Sequence, residues 1–462
     1  MAEILGWGSY IPHRRLDRTS IGAVTGTAGR TGFRSIASYD EDTTTLGVEA
    51  LRAALRAHSG VHVDAVSFAT PAPAYLDRTN ADTVHAAVRL GRDVPAYDHL
   101  GSTRSAMGAL RAGLTGPGVT AVVSSDIRFG PAGGPEEANG GDAAAALLVG
   151  QSANTPVLAE LVAWKSLTHE FLDRWRVPGE PWSRLWEERF GETVYATLGT
   201  EIVKEACEAA AVSVADIDHL VVSGLSDRAV DAVTAKSGVA PGFAKDRLNN
   251  RIGNVGAAQP ALLLAAALEE ATPGQLVLLV SLADGADAVV LRTTDALADY
   301  RPSATVAQQV ESGAPLAYGR YLGWRGVLNI EPPRRPEPAR VSSPAAYRNA
   351  DWKFGFIAGG DRATPHLPPM PTDRLHTPMA DALGTVVTFT IDRLSYSPSP
   401  PVIFAVVDFD GGGRFPVELT DVDEGEVVIG TRVELTFRRL ATSDGIHNYF
   451  WKARPVRSRA DA

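Results

Sequence analysis

The run VTAVVSSD, residues 119–126, is apolar and β-branched, then ends on small and polar residues. It reads as a buried strand. Three similar runs accompany it: VDAVSFAT (63–70), DHLVVSGL (218–225) and LVLLVSLADG (276–285). Each is flanked by a helical pattern: TTTLGVEALRAALRAH, SAMGALRAGL, GTEIVKEACEAAAV and PALLLAAALEEA. Alternation of this kind predicts an α/β layered fold whose central strands carry helices on both faces. The pattern occurs around 41–150 and again around 198–292, which predicts a duplicated unit.

Residues 164–197 are aromatic and charged with helical spacing, and read as a helical insertion on the α/β body. Residues 296–345 are rich in Pro and Arg, ending in NIEPPRRPEPARVSSP (329–344), and read as a linker. After 383 the pattern becomes β. GTVVTFTIDRLSY, PVIFAVVDFD, GRFPVELTD, TRVELTFRRL and HNYFWKARPV are β-rich runs separated by Gly, Pro, Asp and Ser. Short strands in this number predict a small all-β barrel, an OB-fold.

The 462 residues predict two or three domains. A formal charge of −10 argues against a nucleic-acid partner. No uncharged apolar stretch is long enough for a membrane span. The N-terminus MAEILGWGSY lacks the basic segment and apolar core of a signal peptide, so cytoplasm is the expected compartment. The single cysteine, Cys207, excludes an internal disulfide. It shares a helical face with Ile202, Val203, Ala206 and Ala210 and reads as a core residue.

GWGSYIPHRRL (6–16), SIASYDEDTTTLGVEALRAAL (35–55), SSDIRFGPAGGPEEANGGDAAAALLV (124–149), EFLDRWR (170–176) and IGNVGAAQPALLLAAAL (252–268) share an order and spacing. Together they resemble the 3-hydroxy-3-methylglutaryl-CoA (HMG-CoA) synthases of the thiolase superfamily, which includes ketoacyl synthase III. The resemblance implies a five-layered α/β/α/β/α thiolase fold over residues 1–295. HLPP (366–369), GTVVTFT (384–390) and VVDFDGGGRF (406–415) resemble a family in which a zinc ribbon precedes an OB-fold beside thiolase-like enzymes. That implies a ribbon plus OB module over 346–458.

The family's chemistry starts with a cysteine at a buried helix N-terminus, where the helix dipole favours its thiolate. The resemblance puts Thr103 there. A Thr hydroxyl is a poor nucleophile without an adjacent base. Asp98 and His99 are near in sequence, but a strand alternates its faces, so an Asp–His–Thr relay does not follow from proximity. The family's general-base glutamate falls on Pro71, and its histidine on Ser223, with Ser226 as an alternative. Its asparagine survives as Asn254, which could hold a carbonyl oxygen or simply cap the following helix. Asp284, in the loop 281–289, could act as a base or be a turn residue; Asp287 shares that choice. Gly285 lies in the same Gly-containing loop. Arg104 and Arg128 could meet CoA phosphates or form structural ion pairs. The ribbon's cysteine positions fall near Gly359, Arg362 and Thr372, so structural zinc is not expected. Phe450 and Trp451 could stack on adenine or pack in the barrel core.

These readings imply a protein that binds acyl-CoA or acyl-carrier thioesters, with no covalently bound cofactor. Its C–C bond chemistry, of aldolase or acyltransferase type, would run without an acyl-enzyme. The competing expectation is a non-catalytic scaffold supporting an active partner. A homodimer, or a heteromer with a thiolase-like subunit, is expected either way.

Overall fold

The computed structural model describes residues 3–58 and 60–456. Its first body is built on nine strands: β1 (Glu3–Tyr10), β2 (Ala65–Thr70), β3 (Ala96–Leu100), β4 (Val119–Ile127), β5 (Asp142–Gly150), β6 (Ala159–Leu167), β7 (His219–Gly224), β8 (Leu276–Leu282) and β9 (Ala286–Thr293). Five helices matter to the site: α1 (Thr43–Ala57), α2 (Ser105–Thr115), α3 (Glu188–Ala210), α4 (Asp227–Lys236) and α5 (Gln259–Glu270).

The strand order is β7-β8-β9-β6-β1-β5-β4-β2-β3. Within the sheet the two halves join where Glu3 and Ile4 pair with Glu160 and Ala159. On either side of that seam the chain repeats itself. The first half runs β1, α1, β2, β3, α2, β4, β5, and the second runs β6, α3, β7, α4, α5, β8, β9. A fifth strand in the second half is reduced to one bridge, Leu220 with Ala244.

Period-two alternation separates the layers. Val119, Ala121 and Val123 of β4 pack under α1, while Val122 faces the central layer with α2 and α5. In the second half, Leu278 and Val280 face α3 and α4, and Val277 and Leu279 face the same central helices. The order is therefore helix, sheet, helix pair, sheet, helix. Strands buried on both faces have no polar side to show, which is why they read as continuous apolar runs.

β4 is an interior strand, hydrogen-bonded to β2 and β5. Both of its edges are therefore taken within the chain. The free edge of this half is β3, with Tyr97 and Leu100 exposed.

Two segments depart from expectation. Residues 164–187 are not a helical insertion: β6 runs to Leu167, and a hairpin pairs Arg174–Trp175 with Arg184–Leu185. Pro178, Gly179 and Pro181 break any helix there, and α3 starts only at Glu188. The expected linker from 296 also begins too early. Val306–Glu311 and Tyr318–Trp324 are helices, Ala314–Pro315 pairs with Arg14–Arg15, and Tyr321 is buried against Leu16, Ile21 and Ile36. Exposed chain starts near 326.

The closed barrel contains β10 (Leu383–Asp392), β11 (Val402–Phe409), β12 (Arg414–Leu419), β13 (Arg432–Ser443) and β14 (Ile446–Pro455), in the order β10-β11-β12-β14-β13. It shares one hydrophobic cluster with α1 and β4. Among the described residues no helix is long and apolar enough to cross a membrane.

Candidate functional site

The carboxyl ends of β2, β3, β7 and β8 open onto one cleft of about 760 Å³. Ligands of α/β sheets commonly bind outside strand carboxyl ends. The duplication sets the four positions that the resemblance singled out as two equivalent pairs. Pro71 follows β2 as Ser223 closes β7; Thr103 precedes α2 as Asn254 precedes α5. Pro71, Thr103 and Asn254 line the cleft, and Thr103, Ser223 and Asn254 share a narrow recess at its floor.

Asn254 is buried and well tied. Its Nδ2 donates to the Gly224 carbonyl at 2.8 Å, and its Oδ1 accepts from Gly256 N–H at 3.0 Å. Gly256 has φ +55°, and a Cβ there would lie 1.9 Å from Asp126 Oδ2. Only glycine lets the next amide, Ala257, reach that carboxylate at 3.0 Å. The Ser223 hydroxyl donates to the Val280 carbonyl at 3.3 Å inside the sheet. Ser226 lines the cleft too, and its hydroxyl caps α4 by accepting from Ala229 N–H. Neither serine supplies the imidazole of the family pattern.

One cleft wall is a charge ladder. Arg128 and Arg174 both hold the Glu136 carboxylate, Arg174 in a fork with two contacts of 2.6 Å. Burial alone would raise the Glu136 pKa; the two guanidiniums outweigh it and hold it down at about 2. Behind Arg128 the Asp126 carboxyl is pushed up by burial, which the guanidinium only partly offsets. Arg128 thus serves as a structural ion-pair residue in the wall.

A second wall carries acids. The Tyr195 hydroxyl donates to Asp173 Oδ1 at 3.4 Å and accepts from Asp284 N–H at 3.2 Å. All three residues line the cleft. Burial, with the negative charge of Asp284 nearby, raises the Asp173 pKa. The EFLDRWR segment already displayed Asp173 and Arg174 between aromatic residues. A charged pair held in an apolar frame was the signal for them.

Arg104, Gly285, His99, Asp98 and Asp287 lie outside the cleft lining. Arg104 is consumed by Asp287 at 3.0 Å and by the carbonyls of Asp284 and Leu167. It ties α2 to the β8–β9 turn and is not a free cation. Gly285 turns at φ +129° against that guanidinium. In the same turn Ala283 N–H is spent on Gly285 O. His99 sits on edge strand β3, half-buried, its pKa lowered mainly by burial. The Asp98 carboxylate accepts from the backbone of Asn80 and Ala81, each at 2.7 Å, and from Asn80 Nδ2. It is bound up at the N-terminus of the preceding helix, Ala81–Ala87, and no Asp98–His99–Thr103 relay forms. Asp287 accepts from Arg104 and from the Ser166 hydroxyl, so it too is structural. Cys207 is buried in the core under α3.

The residues at the ribbon positions do not fit zinc. Gly359 has no side chain, and a Cβ there would lie 1.6 Å from Asp373 Oδ2. Asp373 Oδ1 instead pairs with His366 Nδ1 at 2.7 Å, joining the two arms of the knuckle. Among the described residues no three His, Cys, Asp or Glu side chains are grouped to hold a metal. The barrel aromatics are not a stacking platform. Trp451 is 1% exposed and donates to the Phe354 carbonyl, and Phe450 packs on Trp352 and Phe356.

Solved structures share this architecture. An HMG-CoA synthase complexed with CoA superposes with a TM-score of 0.60 at 18% identity, over 69% of this chain and 89% of that one. Residues 207–293 match the family described as 3-oxoacyl-[acyl-carrier-protein (ACP)] synthase III C terminal. Residues 377–438 match the family described as ChsH2, C-terminal OB-fold domain. Duplicated halves with facing helix N-termini at a shared cleft floor thus define a thiolase-fold protein with an OB barrel. The hydroxymethylglutaryl-CoA synthase of Aeropyrum pernix is 30% identical over 352 residues, 71% of this chain and 95% of that protein. That of Methanopyrus kandleri is 26% identical over 345 residues, 71% and 98%. The chain belongs to the hydroxymethylglutaryl-CoA synthase family.

Proposed function

We propose that this chain binds an acyl thioester in the cleft and acts on a C–C bond without forming an acyl-enzyme. The observation that carries the reading is the floor recess, lined by Thr103, Ser223 and Asn254 with no thiol, imidazole or carboxylate, below a cleft whose wall has Pro71 where the family resemblance puts its glutamate. The shape of a thioester site is kept while the covalent machinery is gone. A CoA thioester is the expected ligand, with an acyl-carrier thioester as the other carrier of the same group.

Retro-aldol cleavage of a 3-hydroxyacyl thioester suits what remains. A carboxylate takes the β-hydroxyl proton, the C2–C3 bond breaks, and its electron pair passes to the thioester as an enolate. The C3 fragment leaves as a carbonyl compound, and the enolate takes a proton back at C2. Asp284 and Asp173 face the cleft, and the raised pKa of Asp173 brings it nearer a working base. Asn254 amide is the oxyanion donor. Run backwards, the same groups perform an aldol addition.

A second reading, a non-catalytic subunit supporting an active thiolase-like partner, draws on Ser223 and Asn254, whose polar atoms are already engaged by backbone. In either reading the unpaired edge β3, with Tyr97 and Leu100 outward, is the surface on which a second subunit would pair.

The test is calorimetry with acetyl-CoA, followed by incubation with 3-hydroxy-3-methylglutaryl-CoA and assay for a released carbonyl product and acyl-CoA. Binding with turnover supports the catalytic reading. Binding without turnover favours the scaffold. No binding sinks both.

A further inference from the structure

We propose that the barrel is a positioning element of the cleft, acting through its last hairpin on the loop 71–80. Pro71, Ala72, Pro73 and Leu76 of this loop line the cleft. Two prolines within three residues leave it short of backbone donors, so it depends on outside groups to hold its shape.

Those groups are few. Thr43 Oγ1 donates to the Ala72 carbonyl at 2.8 Å. Arg176 donates to the Pro71 carbonyl. Asn80 closes the far end by bonding both the N–H and the carbonyl of Tyr75. Thr70 Oγ1 accepts from Ala72 N–H at 3.1 Å, and a further hold comes from the barrel. The Tyr75 hydroxyl accepts from His447 N–H at 2.7 Å, and the two rings lie 4.9 Å apart. His447 follows the turn at Asp444–Gly445, and its Nδ1 lies 2.8 Å from Thr442 Oγ1 across the hairpin.

A second route converges on the same loop. Tyr449 of β14 donates to Asp42 at 2.8 Å. Asp42 caps α1, and its neighbour Thr43 holds the Ala72 carbonyl. The barrel therefore reaches the cleft wall directly through Tyr75 and indirectly through residues 42–43. Nothing in this requires a particular ligand.

The experiment is hydrogen–deuterium exchange on the full chain without ligand, comparing wild type, Tyr75→Phe and Tyr75→Ala. Phenylalanine keeps the ring contact and loses the hydroxyl acceptor; alanine loses both. Exchange across 71–80 should speed up by about five- to tenfold in Tyr75→Phe, and further in Tyr75→Ala. The barrel strands and α2 should keep their wild-type rates. Unchanged exchange at 71–80, or acceleration spread evenly over both modules, overturns the proposal. Acetyl-CoA affinity should fall in the same order, and equal affinity in wild type and Tyr75→Ala also overturns it. A wild type that binds no acetyl-CoA counts against the proposed function and leaves the exchange result as the deciding measurement.

Discussion

The guanidinium of Arg438, from the barrel, meets the carboxylate of Glu41, from the thiolase body, at 3.0 Å, and both side chains are wholly buried. Asp421 at 2.8 Å and the Tyr10 hydroxyl at 2.9 Å complete the cluster. Lys452 sits beside it on Asp40 at 3.0 Å. Removing one partner from such a group leaves charge buried and uncompensated. Arg438→Met should lower unfolding free energy by about 3–5 kcal/mol in urea titration. Both modules should unfold in one transition, because the cluster belongs to both. A wild-type midpoint, or two separated transitions in the wild type, would contradict this.

The buried carboxyls set a pH optimum for stability. Glu49 and Glu136 are held at about 2 although burial opposes it, by Arg52 and Arg454 for the first and Arg128 and Arg174 for the second. A carboxyl depressed in the fold takes up protons on unfolding, so its stabilisation is present above about 4.5 and lost as pH falls towards 2. Glu41 works the other way. Burial lifts it to about 7, more than Arg438 lowers it. Its contribution is full below about 4.5 and declines as pH rises through 7. Urea midpoints measured from pH 3 to 8 should rise steeply to about pH 5 and then level or fall. A midpoint that keeps rising to pH 8 would refute the Glu41 assignment.

Native protein incubated with acetyl-CoA should show no acetyl adduct by intact mass spectrometry, and iodoacetamide should leave Cys207 unmodified until the chain unfolds. Thr103→Cys should gain one fast alkylation site, since that position precedes the N-terminus of α2 and opens into the cleft. An adduct on Thr103 in the wild type would show that the hydroxyl is activated by a group other than Asp98.

Asn254→Ala removes the amide proposed for the oxyanion. Any C–C bond turnover should fall roughly 10²- to 10³-fold. The hydrogen bonds to Gly224 and Gly256 go with it, so stability should drop by about 1–2 kcal/mol. Turnover at the wild-type rate would place the chemistry elsewhere or in a partner.

Prolonged EDTA treatment should leave the melting temperature unchanged, because Gly359 offers no ligand and the Asp373 carboxylate is already taken by His366. His366→Ala should expose 360–375 to limited proteolysis while the barrel stays intact. A chelator-sensitive melting curve with about one zinc per chain by elemental analysis would show a metal site that these residues do not make.

The layers were legible because strands such as Val277–Leu282 are buried on both faces and helices such as α5 are almost wholly apolar. Thr103 and Asn254 could be located because glycines and small residues frame them at family spacing. What stayed hidden depends on distance along the chain. Nothing near Arg104 in sequence announces Asp287, and Asp98 shows no sign of its bonds to Asn80 and Ala81. Both were open to being read as functional charges, and both are structural. The hairpin after β6 imitates a helix in its aromatic spacing, although Pro178 and Pro181 forbid one. The prolines after 331 mask the chain from 296 to 325, where Val306, Val310, Leu316 and Tyr321 carry the packing.

Residues 326–344 run almost entirely through solvent, whereas the two bodies they connect are joined by α1, Arg438, Lys452 and a common apolar cluster. The peptide linkage there does little that the contact surface does not already do. Cutting the chain in this stretch would yield two polypeptides with a ready-made, charge-keyed socket between them. Expressed from separate genes, they should find each other and co-purify as a one-to-one complex. The fusion then acts mainly on stoichiometry and on local concentration.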